Sequence, residues 1–342
     1  TGTRVTGYYD AAGSLKLTLA GRYDSQAMDG DGGSLEIVQY NAKNGFAYAV
    51  SGLKGKLIAA DLNGKLDGDK VVALKGAEYN VKSMVSSYGD MTSVAISPDG
   101  TRLAVAIQAA NYDAQGSVAL FACQADGSLK PLSTVKVGVQ PDMLTFADDS
   151  TILTADEAEP RQGANGVDPK GSVTIITIDP DTAKMTAKSV YFDAFDAQRD
   201  ALTSAGVLIQ KGYQPSTDLE PEYIAISGRT AYIALQEANA IAVLDIDKAQ
   251  FTGVYPLGFQ DYSQTKVDLQ KNDKIELKNY ENVYGIKMPD GISVTTIGSK
   301  TYLLTANEGD SRADWARMDN EYEKKTSPTG NIKLDEKVVW FN

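Results

Sequence analysis

Hydrophobic and polar positions along this chain fall into short runs broken by turn-forming residues. In "DMTSVAISPDGTRLAVAIQAAN" (90–111) an apolar run meets the polar turn Ser97-Pro98-Asp99-Gly100 and a second apolar run follows. That order predicts two antiparallel strands joined by a tight turn. It recurs in "QPDMLTFADDSTILTADEAEP" (140–160), "EPEYIAISGRTAYIALQEANA" (220–240) and "MPDGISVTTIGSKTYLLTANEGD" (288–310). A further copy, 34–65, turns at Asn44-Gly45. Third strands follow in "GSVALFACQADG" (116–127), "GSVTIITIDPDT" (171–182) and "NAIAVLDIDKA" (239–249).

Three or four antiparallel strands per unit, repeated with turns between, predict an all-β fold, a β-propeller. A sandwich does not require the same order of acid, strand, turn and strand five times over; radial repetition does. First strands start at Glu36, Thr92, Asp142, Glu222 and Asp290, separated by 56, 50, 80 and 68 residues, against the roughly 40–50 of a compact blade. The excess lies in insertions near 191–218, 258–284 and 311–342, the first with a short helix ending near Gly206. The fifth blade shows no third and fourth strands after Glu308, and "SLKLTLAGRY" (14–23) reads as an outer strand completing the last blade. Residues 1–342 are therefore expected to form one propeller domain, with two closures open: five blades of a seven-bladed ring that continues beyond Asn342, or a strained five-bladed ring.

Charge narrows the partners. With 45 acidic against 33 basic residues the net charge is −12, which disfavours nucleic acid and anionic membrane surfaces and favours cations. The chain has no histidine, so Ser-His-Asp, Cys-His and His-ligated zinc chemistries are excluded. The single cysteine, Cys123, lies in the strand "SVALFAC" and reads as a buried thiol. No apolar stretch of about 18 residues exists to span a membrane, and the start at Thr1 suits a mature, exported protein.

The acids repeat with the strands. Glu36, Asp142, Glu222 and Asp290 stand at first-strand starts, with Thr92 in the neutral place; Asp156-Glu157, Gln236-Glu237 and Asn307-Glu308 stand at second-strand ends. Antiparallel neighbours bring a start and an end to the same face, so these groups should converge on one channel mouth. Like charges at close range need protons or a cation, and an all-oxygen set suits a hard divalent ion, most simply Ca²⁺. Two other readings stand: a rim neutralised by Arg312, and carboxylates that only accept backbone hydrogen bonds. Glu220 does not recur in the acid register and is expected in solvent, while "DGDGGS" (29–34) is read as a turn.

At "LEPEYIAISGRTAYIALQEANAIAVLDID" (219–247), "YPLGFQDYS" (255–263) and "YLLTANEGDSRADW" (302–315), the chain resembles the bacterial choice-of-anchor I family. The resemblance implies an exported, extracellular or cell-surface propeller whose anchoring signal lies outside this segment, with further strands after "NEGDSR". Thr92 departs from a symmetric ring of acids. More distantly, "NEGD" and the Pro-Asp/Glu starts are similar to the metal-ligating edges of calcium-dependent propeller phosphatases, which polarise phosphate and activate water without histidine. Carried over, Glu157, Glu237 and Glu308 would bind metal directly, Asp142, Glu222 and Asp290 would bind it or support those that do, and Arg312 would contact phosphate. No nucleophile stands out: Thr305, Ser311 and Ser293 read as strand or turn residues. The expected function is a binding or surface-layer module for an unidentified surface or small-molecule ligand, with a metal-dependent phosphoesterase as the alternative.

Overall fold

The structure, a computed structural model, describes residues 6–9, 16–24, 35–52, 54–64, 71–161, 166–210, 212–270 and 272–309. Arg312, Ser311, the 29–34 turn and the 311–342 segment lie outside these. First come β1 (Thr6–Tyr9), β2 (Lys16–Thr18), which pairs with β1, and β3 (Gly21–Arg22). The first blade is β4 (Val38–Asn41), β5 (Phe46–Ser51) and β6 (Lys56–Asp61), then the short β7 (Val72–Ala73), then β8 (Gly76–Asn80) paired with β6. β3 pairs in parallel with β7, the short strand between β6 and β8, in a two-stranded sheet of its own.

The second blade comprises β9 (Asp90–Ile96), β10 (Arg102–Gln108), β11 (Gln115–Cys123) and β12 (Leu129–Val139). The third comprises β13 (Pro141–Asp148), β14 (Thr151–Asp156), β15 (Ser172–Ile178) and β16 (Met185–Tyr191). A 3-10 turn (Asp193–Gln198), α1 (Arg199–Ala205) and α2 (Pro215–Asp218) intervene. The fourth blade is β17 (Ile224–Ser227), β18 (Thr230–Leu235), β19 (Ala240–Asp245) and β20 (Gln250–Pro256). After the ribbon β21 (Phe259–Asp261) and β22 (Tyr284–Ile286) come β23 (Pro289–Ile297) and β24 (Lys300–Asn307), a fifth antiparallel hairpin. Each four-stranded sheet is an antiparallel meander in chain order, and the innermost strand of each blade touches the inner strands of the blade before it. This is a β-propeller arrangement.

Strand alternation explains why the blades stack. In β10, Leu103, Val105 and Ile107 face the first blade, packing with Tyr48, Val50 and Leu57, while Ala104 and Ala106 face Leu144 and Ile152 of the third. Bulky residues on one face and small ones on the other let successive sheets wedge together, each fully buried Leu or Ile contributing about 1.5–3 kcal/mol. The third–fourth interface also takes in the helical insertion. Phe192 stacks on Phe251 with ring centroids 4.2 Å apart, and Gly206, at φ 106, ends α1 in the left-handed conformation that glycine adopts at low cost.

Polar bonds join the blades at the turn between the first and second strands. Asn41 Nδ2 donates to Gly100 O (3.0 Å), Arg102 Nη1 to Asp149 O (2.8 Å) and Arg229 Nη1 to Asp148 Oδ2 (2.7 Å). The repeated acids sit at the other end of the same strands.

Candidate cation site

Three blades open on one sequence pattern: Gln140-Pro141-Asp142, Glu220-Pro221-Glu222 and Met288-Pro289-Asp290. Proline suits the entrance of a strand because it lacks the N–H that the ladder would use further in. The residue ahead of it is buried each time, Gln140 at 1%, Glu220 at 2% and Met288 at 2% exposure. Gln140 and Met288 take left-handed backbone, φ 49 and 44. Their carbonyls accept the N–H of the blade's second acid, Glu157 to Gln140 O at 3.0 Å and Glu308 to Met288 O at 3.3 Å. The hairpin mouth is closed by backbone, and the first and second acids are held side by side.

The fourth and fifth blades show true carboxyl pairs. Glu222 is hydrogen-bonded to Glu237, and Asp290 to Glu308. Gln236, with its amide nitrogen toward Glu222, donates to both carboxylate oxygens at 3.0 and 2.6 Å. Burial, then Glu237, Glu157 and Asp142, hold Glu222 well above the usual carboxylate range. Burial, then Glu308, raises Asp290, with the Gly291 N–H pulling the other way.

In the third blade, burial pushes Asp142 up to about 6, helped by Asp290, Glu36 and Glu159 and opposed by Arg161. Glu157 lies well above its ordinary value through burial, then Asp142, Glu159 and Glu237. These influences link the first, third, fourth and fifth blades into one electrostatic unit. An opening of about 490 Å³ exposes part of it, lined by Glu36, Asp90, Asp142, Glu157, Glu159 and Arg161, with Thr92 and Tyr112 beside them. Arg161 Nε lies 3.2 Å from Glu159 Oε2.

All six predicted acids stand at this end of the blades, though unequally. Glu222 and Glu237 are buried, Asp142, Glu157 and Asp290 half-buried, and Glu308 exposed. Their donor chemistry fits a hard cation. Among the described residues, however, no three of them already stand in metal-holding geometry, so they are arranged as pairs and not as a preformed cage.

Two expectations are corrected. Glu220 does not stand in solvent; it occupies the buried pre-proline position shared with Gln140 and Met288. Asp156 does not join Glu157 at the mouth, because successive strand residues point to opposite faces. It is fully buried (0% exposed) and accepts hydrogen bonds from Thr154 (2.7 Å), Ser172 (2.8 Å) and Thr174 (2.6 Å), burial pushing it up to about 7. Sequence reasoning missed Asp90, Glu159 and Arg161. Glu159 was findable, two positions beyond Glu157 in "DEAEP", and Asp90 supplies, two residues early, the acid that Thr92 lacks; Thr92 instead donates to Pro141 O at 2.7 Å.

A family model described as the choice-of-anchor I domain matches residues 36–340. No curated protein matches the chain. Similar solved structures include a protein from Lactobacillus plantarum, 14% identical, covering 78% of this chain and 73% of that one with a TM-score of 0.45. The β-propeller domain of Cps50 (Swd1) from Myceliophteria thermophila is 12% identical, covering 66% of this chain and 56% of that one, TM-score 0.41. The periplasmic gluconolactonase PpgL of Pseudomonas aeruginosa is 19% identical, covering 46% and 38%, TM-score 0.34. The chain thus spans less than two thirds of the length of these last two. Likenesses this distant carry no argument about activity.

Proposed function

The chain belongs to the choice-of-anchor I domain family, and from that premise we propose that it is a cell-surface β-propeller module whose acidic mouth binds a divalent cation, Ca²⁺ in the first instance, as part of recognising a surface or small-molecule ligand. Among the described residues no helix is long and apolar enough to cross a membrane.

One observation carries the reading. Successive blades present a carboxyl pair at the same end, Glu222 with Glu237 and Asp290 with Glu308, and Asp142 and Glu157 lie within electrostatic reach. Without a cation such pairs must share protons. With one, the same oxygens supply part of a calcium shell that takes 6–8 oxygens in all, with water and backbone carbonyls completing it.

The test is calorimetric titration of dialysed protein with Ca²⁺, together with thermal unfolding in chelator and in excess Ca²⁺. Binding that raises the melting temperature, and is lost in Glu237→Gln and Glu308→Gln, is the expected result; at 100 times Kd it adds about 2.7 kcal/mol of stability. A melting temperature indifferent to chelator, with no heat of binding, would overturn the proposal. Turnover of p-nitrophenyl phosphate abolished by the same two variants would replace binding with phosphoester hydrolysis.

A further inference from the structure

The second and fourth blades match residue for residue at their mouths, and the difference between them opens a cavity. Gln108-Ala109-Ala110-Asn111 in one corresponds to Gln236-Glu237-Ala238-Asn239 in the other, and Thr92 stands where Glu222 does. The ladders agree: Ser93 lies opposite Ala106, and Tyr223, one residue past Glu222, bonds Ala234. In the fourth blade the Gln236 amide is satisfied by both oxygens of Glu222. The second blade lacks both acids of that pair, with threonine in one place and alanine in the other.

Gln108 keeps the amide without the acceptor. Only 9% exposed, it lies on the face of β10 that carries Ala104 and Ala106 toward the third blade, and it lines the opening of about 490 Å³. Among the described residues its side-chain amide has no hydrogen-bond partner. Its neighbours are turned elsewhere. Thr92, skipped by the ladder between Met91 and Ser93, donates to Pro141 O at 2.7 Å. Asp90 accepts the Met91 N–H at 2.7 Å, and its Oδ1 lies 2.0 Å from where a Cβ on Gly52 of the first blade would stand. An unpaired buried amide costs about 1–3 kcal/mol, so this one marks a place where another molecule makes the bond.

The rest of the lining gives that molecule its chemistry. Glu36, Asp90, Asp142, Glu157 and Glu159 are accompanied by one guanidinium, Arg161, which lies 3.2 Å from Glu159. Such a field repels an anion and favours a positive group. A bare metal ion does not suit the site: it offers the amide N–H no acceptor, and among the described residues no three acids stand in metal-holding geometry. An organic cation reaches carboxylates that stand apart, and the volume lies within the roughly 300–1,000 Å³ of small-molecule pockets. Hydroxyl groups complete the match, since each donates to a carboxylate and accepts from an amide. We propose that this cavity binds a small amine-bearing polyol of the hexosamine class, its ammonium among Glu36, Asp142 and Glu157 and a hydroxyl on the Gln108 amide. The proposal rests on the small-molecule half of the reading above and not on its Ca²⁺ half.

The experiment titrates the protein with glucosamine, N-acetylglucosamine and glucose by calorimetry at neutral pH, in chelator and again in Ca²⁺. Glucosamine should bind about tenfold or more tightly than the other two, because it alone brings a positive charge. Gln108→Leu, which removes the amide, and Ala109→Leu, which narrows the cavity and leaves the amide, should each weaken glucosamine about tenfold. Asn41→Ala, at the opposite end of the strands, should leave its affinity unchanged. Equal binding of the three sugars, no binding of glucosamine in either condition, or wild-type affinity in Gln108→Leu overturns the inference. If Gln108→Leu does not fold, Ala109→Leu decides by the same criterion. Ca²⁺ uptake without glucosamine binding would remove this inference alone, and glucosamine binding in chelator without Ca²⁺ uptake would remove the Ca²⁺ reading alone.

Discussion

Asp156 and Glu157 are neighbours with opposite fates. Asp156 faces inward to three hydroxyl donors, and Glu157 faces the acidic opening. The repeat made the dyad conspicuous, and strand parity, which dictates that only one of two consecutive residues can face a given side, assigns the roles. Glu220 departs from its expected place in solvent for a related reason: the position it fills is outside the acid register and is the pre-proline position, held by Gln140 and Met288 in other blades. Burial raises Asp156 to about 7, so the folded state holds its proton more tightly than the unfolded chain, whose carboxyl titrates near 4. Stability from this site is then full below about pH 4 and declines as pH rises toward 7, by a few kcal/mol at roughly 1.4 kcal/mol per unit. Asp156→Asn should flatten that decline in urea unfolding between pH 4 and 7, and Asp156→Ala, which strands the Thr154, Ser172 and Thr174 hydroxyls, should cost about 3 kcal/mol. An Asp156→Asn protein with the wild-type pH slope would show that the site does not titrate in this range.

Strands and turns were the most legible elements, because alternation and turn chemistry are local. Ser97-Pro98-Asp99-Gly100 and Asn44-Gly45 turn where the sequence places them, and α1 ends on Gly206 as its composition indicates. Outer-strand pairing was less legible: β3 joins β7 in parallel, a contact for which two-residue strands give no periodic signal. Packing between elements is not local either. Gly138, at the end of β12, lies so close to the third blade that a Cβ there would fall 2.4 Å from both Asp156 Oδ2 and Ser172 Oγ. No feature of "VKVGVQ" announces that contact. Gly138→Ala should therefore destabilise by about 1–3 kcal/mol through overpacking, while Gly64→Ala, with nothing within 4 Å of its Cβ, should stay within about 0.5 kcal/mol. Equal melting temperatures for the two variants would mean that the second and third blades separate easily at this point.

At the scale of the molecule, the acids act together because the blades carry them to one end. Asp142 responds to Asp290 two blades away and to Glu36 in the first blade, so the pattern seen as a repeat in sequence becomes a shared field in space. The cooperation was legible; its division into pairs was not, since proton sharing between Glu222 and Glu237 depends on side-chain placement that spacing alone does not fix. This field has a pH consequence opposite to that of salt-bridged carboxylates. Asp142, Glu157, Glu222 and Asp290 are all raised in the fold, so the folded protein binds protons that the unfolded chain has released. In chelator, stability is greatest at low pH and falls as pH rises from about 4 through 6 and beyond. A bound cation replaces those protons, so its stabilising effect should grow over the same interval: small at pH 5, large at pH 8. Melting temperatures measured in chelator and in Ca²⁺ from pH 5 to 8 should diverge with pH for the wild type and run parallel for Glu237→Gln, in which one carboxylate of the fourth-blade pair can no longer ionise. Curves that stay parallel in the wild type would mean that protons and Ca²⁺ do not compete for these carboxylates, and the acidic mouth would then serve the fold alone.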